Sequence, residues 1–285
     1  MQLGALLACL WGILFAHTTP AAELSISVST ATPALGDPLV VEVAASGTVD
    51  NLSLVWNGAS WPVRGIAPGK YQGVIGVDLL AAAVPATVAA EGWIGGERSR
   101  AEAALDVTDR KFPVQRLSLP KKMAEFDPPT LARIEAEARD LEARFARVTP
   151  PVWSLPFLTP VAEYRPENFG SRRVINGEPR MPHAAVDVRL PEGTPVRSIA
   201  DGVVAFAGDR FFGGLSVVVD HGGGVFSVYY HLKEFSVSEG DRVARGAWIG
   251  AIGSTGRATG PHLHFGVRVP GGRVDPTRLF ALPAR

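Results

Sequence analysis

Short apolar stretches separated by turn residues dominate the chain between Glu23 and Val107. L-S-I-S-V alternates apolar and polar positions, P-L-V-V-E-V-A and L-S-L-V-W follow, and N-G, P-G-K-Y and G-G-E mark turns. Alternation with a period of two is typical of strands that are buried on one side. Several short strands at spacings of about 8–12 residues predict a β-sandwich for residues 23–110.

A different pattern occupies residues 111–150. Pro113 and Pro120 predict an extended segment, and Asp127 followed by Pro128 predicts the start of a helix. Apolar residues then recur at spacings of three and four, as an amphipathic helix requires: Leu131, Ile134, Ala138, Leu141 and Phe145. We expect this connector to position the two flanking domains by packing on one of them. The alternative is a regulatory role in which the connector occludes a cleft.

Residues 151–285 return to short strands and glycine turns. The clearest element is a hairpin from Leu215 to His231, with β-forming residues on both arms and glycines at its tip. We expect an antiparallel β domain with a groove between its loops. The predicted fold class is therefore mainly β, with an N-terminal sandwich resembling an immunoglobulin-like domain, a helical connector and a C-terminal antiparallel β domain. The sandwich contains no histidine, so we interpret it as a spacer or docking module.

Composition places the chain among ordinary globular proteins. Of its 285 residues 46% are hydrophobic and 20% charged, and the formal net charge is zero. Residues 151–285 contain 15 basic and 12 acidic residues, a net charge of +3. This excess is too small to favour nucleic acid as a partner.

The first 22 residues resemble an export signal. An apolar run from Leu3 to Ala16 precedes H-T-T-P-A-A, which predicts cleavage near Ala21 or Ala22, although the usual basic start is absent. Cys9, the only cysteine, is an alternative lipoprotein acceptor. We expect an exported protein of the periplasm or cell envelope, with no membrane-spanning segment after cleavage and no disulfide.

Candidate chemistry is concentrated in the last third of the chain. Five of the six histidines lie there: His183, His221, His231, His262 and His264. His262 and His264 are two residues apart in a strand-like P-H-L-H-F, so their imidazoles share one face. Such a pair is half of a zinc site. His221, in D-H-G-G-G, is more typical of a hairpin turn.

The other half of a zinc site is available in H-A-A-V-D. His183 and Asp187 would be about 13 Å apart on a straight strand, too far for one metal ion, so His183 must lie on a bend, which Pro182 makes plausible. Three protein ligands with an open fourth position are typical of catalytic zinc. Each pattern alone is more often structural, and only their combination indicates a site.

At this point the sequence resembles the lysostaphin-type (LytM-like) zinc metallopeptidases that cut peptidoglycan peptides. Five segments between about Phe169 and Phe280 carry the resemblance in order: H-A-A-V-D, D-G-V-V-A-F-A-G, Y-Y-H-L, V-A-R-G-A-W-I-G-A-I-G-S-T-G and G-P-H-L-H-F-G-V. The resemblance implies that the C-terminal domain is a zinc metallopeptidase, with one Zn²⁺ bound by His183, Asp187 and His264. It also implies that His231 and His262 are an unligated catalytic pair. One departure is Ala185, where the family usually has glycine.

The resemblance implies a zinc metalloendopeptidase whose partner is peptidoglycan, and we favour cross-linked stem peptides as its substrate. The proton-transfer roles of His231 and His262 stay open. Arg172, Arg173 and Arg180 are candidates for holding a substrate carboxylate, although surface solvation explains any one of them more simply. Two alternatives are a non-catalytic member that activates a cell-wall amidase and a module that only binds the wall. A regulatory or division-machinery protein partner is a further expectation without a named candidate.

Overall fold

The computed structural model describes residues 23–118 and 126–284. Its N-terminal part contains these strands: β1 (Leu24–Val28), β2 (Pro38–Ala45), β3 (Val49–Trp56), β4 (Ala59–Pro62), β5 (Arg64–Ala67), β6 (Lys70–Gly76), β7 (Ala86–Ile94) and β8 (Glu97–Leu105). They form two antiparallel four-stranded sheets, ordered β1-β2-β6-β5 and β4-β3-β7-β8. The sheets enclose one apolar core. The signal-peptide prediction and Cys9 lie outside the described residues, and the immunoglobulin-like assignment stays a prediction.

Strand β2 is buried on both faces, which explains its continuous apolar run. Val41 and Val43 point into the sandwich core, whereas Val40 belongs to the core of the C-terminal part. Strands covered on both sides lose the alternating pattern of half-buried strands. The sandwich therefore uses one of its outer faces to pack against its neighbour.

The C-terminal part is built on an antiparallel sheet, as predicted. Its strands are β10 (Pro166–Glu167), β11 (Arg172–Ile175), β12 (Glu178–Pro179), β13 (Val186–Val188), β14 (Pro195–Arg197), β15 (Gly202–Arg210), β16 (Gly214–Gly222), β17 (Val225–Phe235), β18 (Arg242–Val243), β19 (Trp248–Ile252), β20 (Leu263–Val269) and β21 (Gly272–Val274). The main path is β10-β13-β20-β17-β16-β15-β18, and β14 and β19 pair beside it. A short helix, α2 (Pro276–Phe280), follows β21, and Asp275 is its N-cap residue.

The connector contributes one strand and one helix, and both pack on the C-terminal part. Its strand β9 (Val114–Leu117) pairs in parallel with β11, making a small sheet ordered β12-β11-β9. Helix α1 (Pro128–Phe145) begins at the predicted cap, because the Asp127 carboxylate accepts a hydrogen bond from the Thr130 amide. The extended segment was predicted from its prolines, but its partner strand was not.

Helix α1 packs on the C-terminal sheet. Phe145 meets Phe226 edge-on at 5.2 Å between ring centroids, and Leu141 joins the same apolar cluster. Arg210 anchors the middle of the helix through hydrogen bonds to the Glu137 carbonyl and the Asp140 carboxylate. Leu131 is 44% exposed, so only the later part of the predicted stripe is used. Within residues 23–118 and 126–284, helices long and apolar enough to cross a membrane are absent.

Main-chain hydrogen bonds tie the sandwich directly to the C-terminal part. The Gly76 amide donates to the Pro270 carbonyl, and the Asp275 amide donates to the Gly36 carbonyl, each at 2.8 Å. The carboxylate of Asp78 accepts from both the backbone and the guanidinium of Arg273. These contacts fix the orientation of the two parts.

Candidate metal centre

Two neighbouring strands and one loop bring the three predicted ligands together. Asp187 on β13 is directly opposite His264 on β20, and His183 precedes β13 in a loop. His264 Nδ1 is 3.2 Å from Asp187 Oδ1, His183 Nε2 is 3.3 Å from the same oxygen, and the two nitrogens are 2.9 Å apart. The bend that the sequence required at His183 is therefore present.

These separations fit one small divalent cation. A tetrahedral ion with bonds of about 2.0–2.1 Å has ligand atoms about 3.3–3.4 Å apart, close to the three separations observed. Two imidazole nitrogens and one carboxylate oxygen are ligands that zinc accepts readily. Three ligands leave one tetrahedral position for a water or a substrate. The geometry therefore fits the metal site that the sequence predicted.

A backbone carbonyl sets the tautomer of His183. The imidazole donates from Nδ1 to the Asn168 carbonyl at 3.1 Å, so Nε2 keeps its lone pair for a metal. The main chain of His183 also pairs with the loop before β11, through Ser171 and Gly170. Asn168 itself has a φ of 71°, a conformation that asparagine tolerates better than most residues.

Electrostatics favour metal-binding protonation states for Asp187 and His264. Burial alone would raise the pKa of Asp187, but its contacts with the imidazoles of His183 and His264 outweigh burial and hold that pKa well below its usual range. Burial lowers the pKa of His264 to about 3. At neutral pH the carboxylate is charged and the His264 imidazole is neutral, which is the form that coordinates metals.

His231 reaches the same site through an unusual backbone conformation. It lies within β17 but has a φ of 62°, a left-handed conformation uncommon for residues other than glycine. Successive strand residues normally face opposite ways, yet Tyr230 and His231 both line the groove beside the three ligands. Tyr230 is directly opposite His264 and stacks on its ring, with centroids 5.4 Å apart and planes 7° apart.

Two crossing loops support His231. Its amide donates to the Gly213 carbonyl at 2.7 Å, and its Nδ1 donates to the Thr255 carbonyl at 2.9 Å. The loops touch backbone to backbone, because a Cβ on Gly256 would lie 2.3 Å from the Gly214 nitrogen. Only glycine permits this approach, so F-F-G-G and S-T-G-R are needed to place the histidine.

His262 also directs its Nε2 atom toward the ligand triangle, from the side opposite His231. Its Nδ1 donates to the Gly260 carbonyl at 2.9 Å, and its Nε2 is 3.7 Å from Asp187 Oδ1. The rings of His231 and His262 have centroids 4.6 Å apart. Burial lowers the pKa of His231 to about 4, so its Nε2 is an unprotonated acceptor at neutral pH. His231 is therefore a proton acceptor beside the ligand triangle, and the ring of His262 lies next to it.

His221 takes no part in this centre, as its turn context predicted. It is fully buried and bonds to the Asp201 carbonyl through Nδ1 and to the Ser227 hydroxyl through Nε2. Ala185 also disturbs nothing visible. Its methyl faces Gly266, where even an added Cβ would stay 3.5 Å away.

Two of the ligands, Asp187 and His264, line a groove of about 310 Å³. Among the arginines proposed from the sequence, Arg173 lines this groove, whereas Arg172 and Arg180 are exposed and are not part of its lining. Gln115 and Leu117, from connector strand β9, form part of one wall. The connector thus belongs to the site, although the described part of it leaves the groove accessible.

Several residues of the site were missed in the sequence. Tyr230 adjoins His231 in Y-Y-H-L, and this adjacency was the available signal. The carbonyls of Asn168, Thr255 and Gly260 carry no side-chain signature. Gln115 could be found only from the pairing of β9 with β11.

Comparisons with known proteins agree with this geometry. Residues 181–276 match the model of Peptidase family M23. The DD-carboxypeptidase/endopeptidase Mpg of Neisseria meningitidis is 48% identical over 101 residues, which is 35% of this chain and 23% of that protein. The peptidoglycan DD-endopeptidase ShyA of Vibrio cholerae is 41% identical over 109 residues, 38% of this chain and 25% of that protein. The chain thus spans about a quarter of the length of these relatives.

A solved structure extends the likeness beyond the groove. A Pseudomonas aeruginosa protein named as a peptidase M23 superposes with a TM-score of 0.66 at 28% identity, covering 87% of this chain and 95% of that one. Residues 181–276 therefore match Peptidase family M23, in agreement with the resemblance to lysostaphin-type (LytM-like) peptidases, and the ligand triangle lies within the matched segment.

Proposed function

We propose that this protein is an exported zinc metalloendopeptidase that hydrolyses peptide bonds in peptidoglycan, with cross-linked stem peptides as its preferred substrate. The observation that carries the proposal is the ligand triangle of His183, Asp187 and His264 beside two further imidazoles in an open groove. The match of residues 181–276 to Peptidase family M23 supports a peptidase.

Zinc suits the donor set because all three ligand atoms are nitrogen or oxygen at tetrahedral spacing. Held by these residues, zinc would supply Lewis acidity at the scissile carbonyl and would lower the pKa of a bound water to about 7. The chain itself provides the ligands, the groove that orients the peptide, and the groups that move protons.

His231 and His262 are the proton-transfer residues in this proposal. Each donates from Nδ1 to a backbone carbonyl, so each keeps an Nε2 lone pair at the site. An imidazole in this state takes a proton from the attacking water and returns a proton to the leaving amine. Among the described residues, Asp187 is the one carboxylate that lines the groove. Because Asp187 is a proposed metal ligand, histidine is the remaining base in the groove. The division of the two steps between His231 and His262 stays open.

The preference for stem peptides is supported by the names of the two relatives described above. Both are DD-endopeptidases by name, and one is also a DD-carboxypeptidase. A wall-directed substrate places the protein in the periplasm or cell envelope, which is consistent with the export signal predicted for residues 1–22.

The two alternatives are not favoured. A non-catalytic activator of an amidase would have no need of a complete ligand triangle and an unligated histidine pair, and both are kept here. A module that only binds the wall would likewise not require ligand atoms at metal-binding distances.

The test is digestion of purified sacculi by the mature protein, followed by chromatography of the soluble muropeptides. We expect cross-linked dimers to fall and monomers to rise, a chelator to stop the reaction, and added zinc to restore it. The matched control is His264→Ala, which removes one ligand and should be inactive with or without zinc. Unchanged dimers after prolonged digestion with zinc-loaded protein would contradict the proposal, and release of stem peptides from the glycan would indicate an amidase instead.

A further inference from the structure

A cluster of positive charge on the groove wall is not used by the chemistry described above. Arg173, on β11, and Arg257, in the loop after β19, both line the groove within the same cavity as the ligand triangle. Arg257 lies flat against Phe212, with its guanidinium carbon 4.2 Å from the ring centroid. Both arginines are therefore held by the fold rather than extended into solvent.

The acid nearest to this cluster is a metal ligand. The Arg173 guanidinium is 3.9 Å from Asp187 Oδ2, longer than a hydrogen bond. Burial, together with the positive charges of Arg173 and Arg180, lowers the pKa of Arg257. A divalent metal ion on the triangle would add further positive charge. The wall therefore favours an anion.

Two buried polar atoms mark the same wall. Arg173 and Gln115 are paired across β11 and β9. The Nε of Arg173 and the Oε1 of Gln115 are both buried, and neither finds a hydrogen-bond partner among residues 23–118 and 126–284. Buried polar atoms in folded proteins are normally paired, so the unpaired Nε–H donor of Arg173 is available to an anionic ligand, whereas the Gln115 oxygen, an acceptor, is not.

Chemistry limits what that ligand can be. In any peptide, the carboxyl group of the acyl residue is already used in the bond to be cut. A main-chain carboxylate beside that bond can therefore belong only to the residue that supplies the amine. Its carbon is three bonds from the scissile carbonyl carbon, so it stays close to the metal site, and Arg173 lies beside the ligand Asp187.

We propose that Arg173 and Arg257 bind a free α-carboxylate on the amine-side residue of the scissile bond. The inference rests on the proposed hydrolase function and narrows its substrate class. The preferred substrate is an amide whose amine residue is either C-terminal or a cross-linking diamino acid with a free carboxylate. Amides within glycine bridges, where the next carboxyl is another amide, lack this group.

The test uses two peptides that share one scissile D-alanyl bond and differ only at the amine-side residue, which ends as a free acid or as a carboxamide. Binding to the metal-free protein is measured by calorimetry, and hydrolysis by the zinc-loaded protein is measured as kcat/KM. We expect the free acid to be preferred about 10- to 100-fold in both measurements, as hydrogen bonds to a charged group allow.

Single substitutions test which arginines cause the preference for the free acid. Arg173→Gln and Arg257→Gln should each reduce the preference for the acid over the amide, mainly through KM. Arg172→Gln is the matched control, because Arg172 neighbours Arg173 on β11 but is exposed and not part of the groove lining. It should keep the full preference.

Equal binding of acid and amide to the wild type would overturn the carboxylate site, whether or not either peptide is cut. A clear preference in binding without any hydrolysis would leave the site standing and refute the hydrolase instead. If Arg173→Gln does not fold, Arg257→Gln together with the wild-type acid and amide pair decides the question.

Discussion

Replacing His231 by asparagine separates proton transfer from metal binding. Asparagine is the suitable replacement because His231 has a φ of 62°, and asparagine adopts this left-handed conformation more readily than most residues. The ligand atoms belong to other residues, and the His231 ring centroid is 5.8 Å from that of His264. The variant should therefore bind zinc within about twofold of the wild type while losing one proton-transfer group.

The size of the loss follows from the histidine pair. A positioned acid or base contributes about 10²–10⁴-fold to a rate. His262 is close to His231, with ring centroids 4.6 Å apart, and can take over part of the role. We therefore expect kcat to fall by about 10²–10³-fold, or about 3–4 kcal/mol of activation free energy.

The assay pairs steady-state cleavage of a cross-linked muropeptide with zinc content by mass spectrometry. His264→Ala is the comparison, because it should lose both zinc and activity. A His231→Asn variant with wild-type kcat would refute the assigned role. A variant that loses zinc would show that His231 is a ligand, and the triangle would then be wrong.

Three further predictions concern stability. Burial lowers the pKa of His221 to about 4 from 6.5, so below pH 6.5 the unfolded chain binds a proton that the folded chain excludes. Stability should then fall by up to about 3 kcal/mol between pH 6.5 and 4, and urea unfolding of His221→Gln should show a flatter profile there. Gly256→Ala should lower the free energy of unfolding by more than about 3 kcal/mol and reduce activity, since its Cβ would lie 2.3 Å from backbone. Gly240→Ala is the control, because Gly240 has a similar positive φ but open space around it, and it should lower the free energy of unfolding by about 1–2 kcal/mol. Equal losses in the two glycine variants would contradict the crossing of loops that supports His231. Asp78→Ala removes a largely buried ion pair with Arg273 and should lower the free energy of unfolding, measured by thermal unfolding, by about 2 kcal/mol. Asp209→Ala removes an exposed ion pair with Arg133 and should lower it by less than about 1 kcal/mol.

Local rules predicted much of the site. Strand alternation placed His262 and His264 on one face, and the distance along a strand required the bend at His183. Both features depend on neighbours within a few residues, so a single sequence contains them. The cap of α1 at Asp127 is equally local, and the structure confirms it.

The remainder depends on long-range pairing. Arg172 and Arg173 are equivalent in the sequence, and only the register of β11 against β9 decides that Arg173 faces the groove. The left-handed turn at His231, which brings Tyr230 and His231 to one side, depends on the contact between Gly214 and Gly256. The apolar run of β2 does not reveal that its outer face packs on another domain.

The most direct measurement is anomalous diffraction at the zinc absorption edge from crystals of the zinc-loaded protein. The account predicts one ion within about 2.0–2.2 Å of His183 Nε2, Asp187 Oδ1 and His264 Nδ1, with His231 and His262 outside coordination distance. An ion bound by His231 or His262 in place of one of these ligands, or no ion at the triangle, would contradict it.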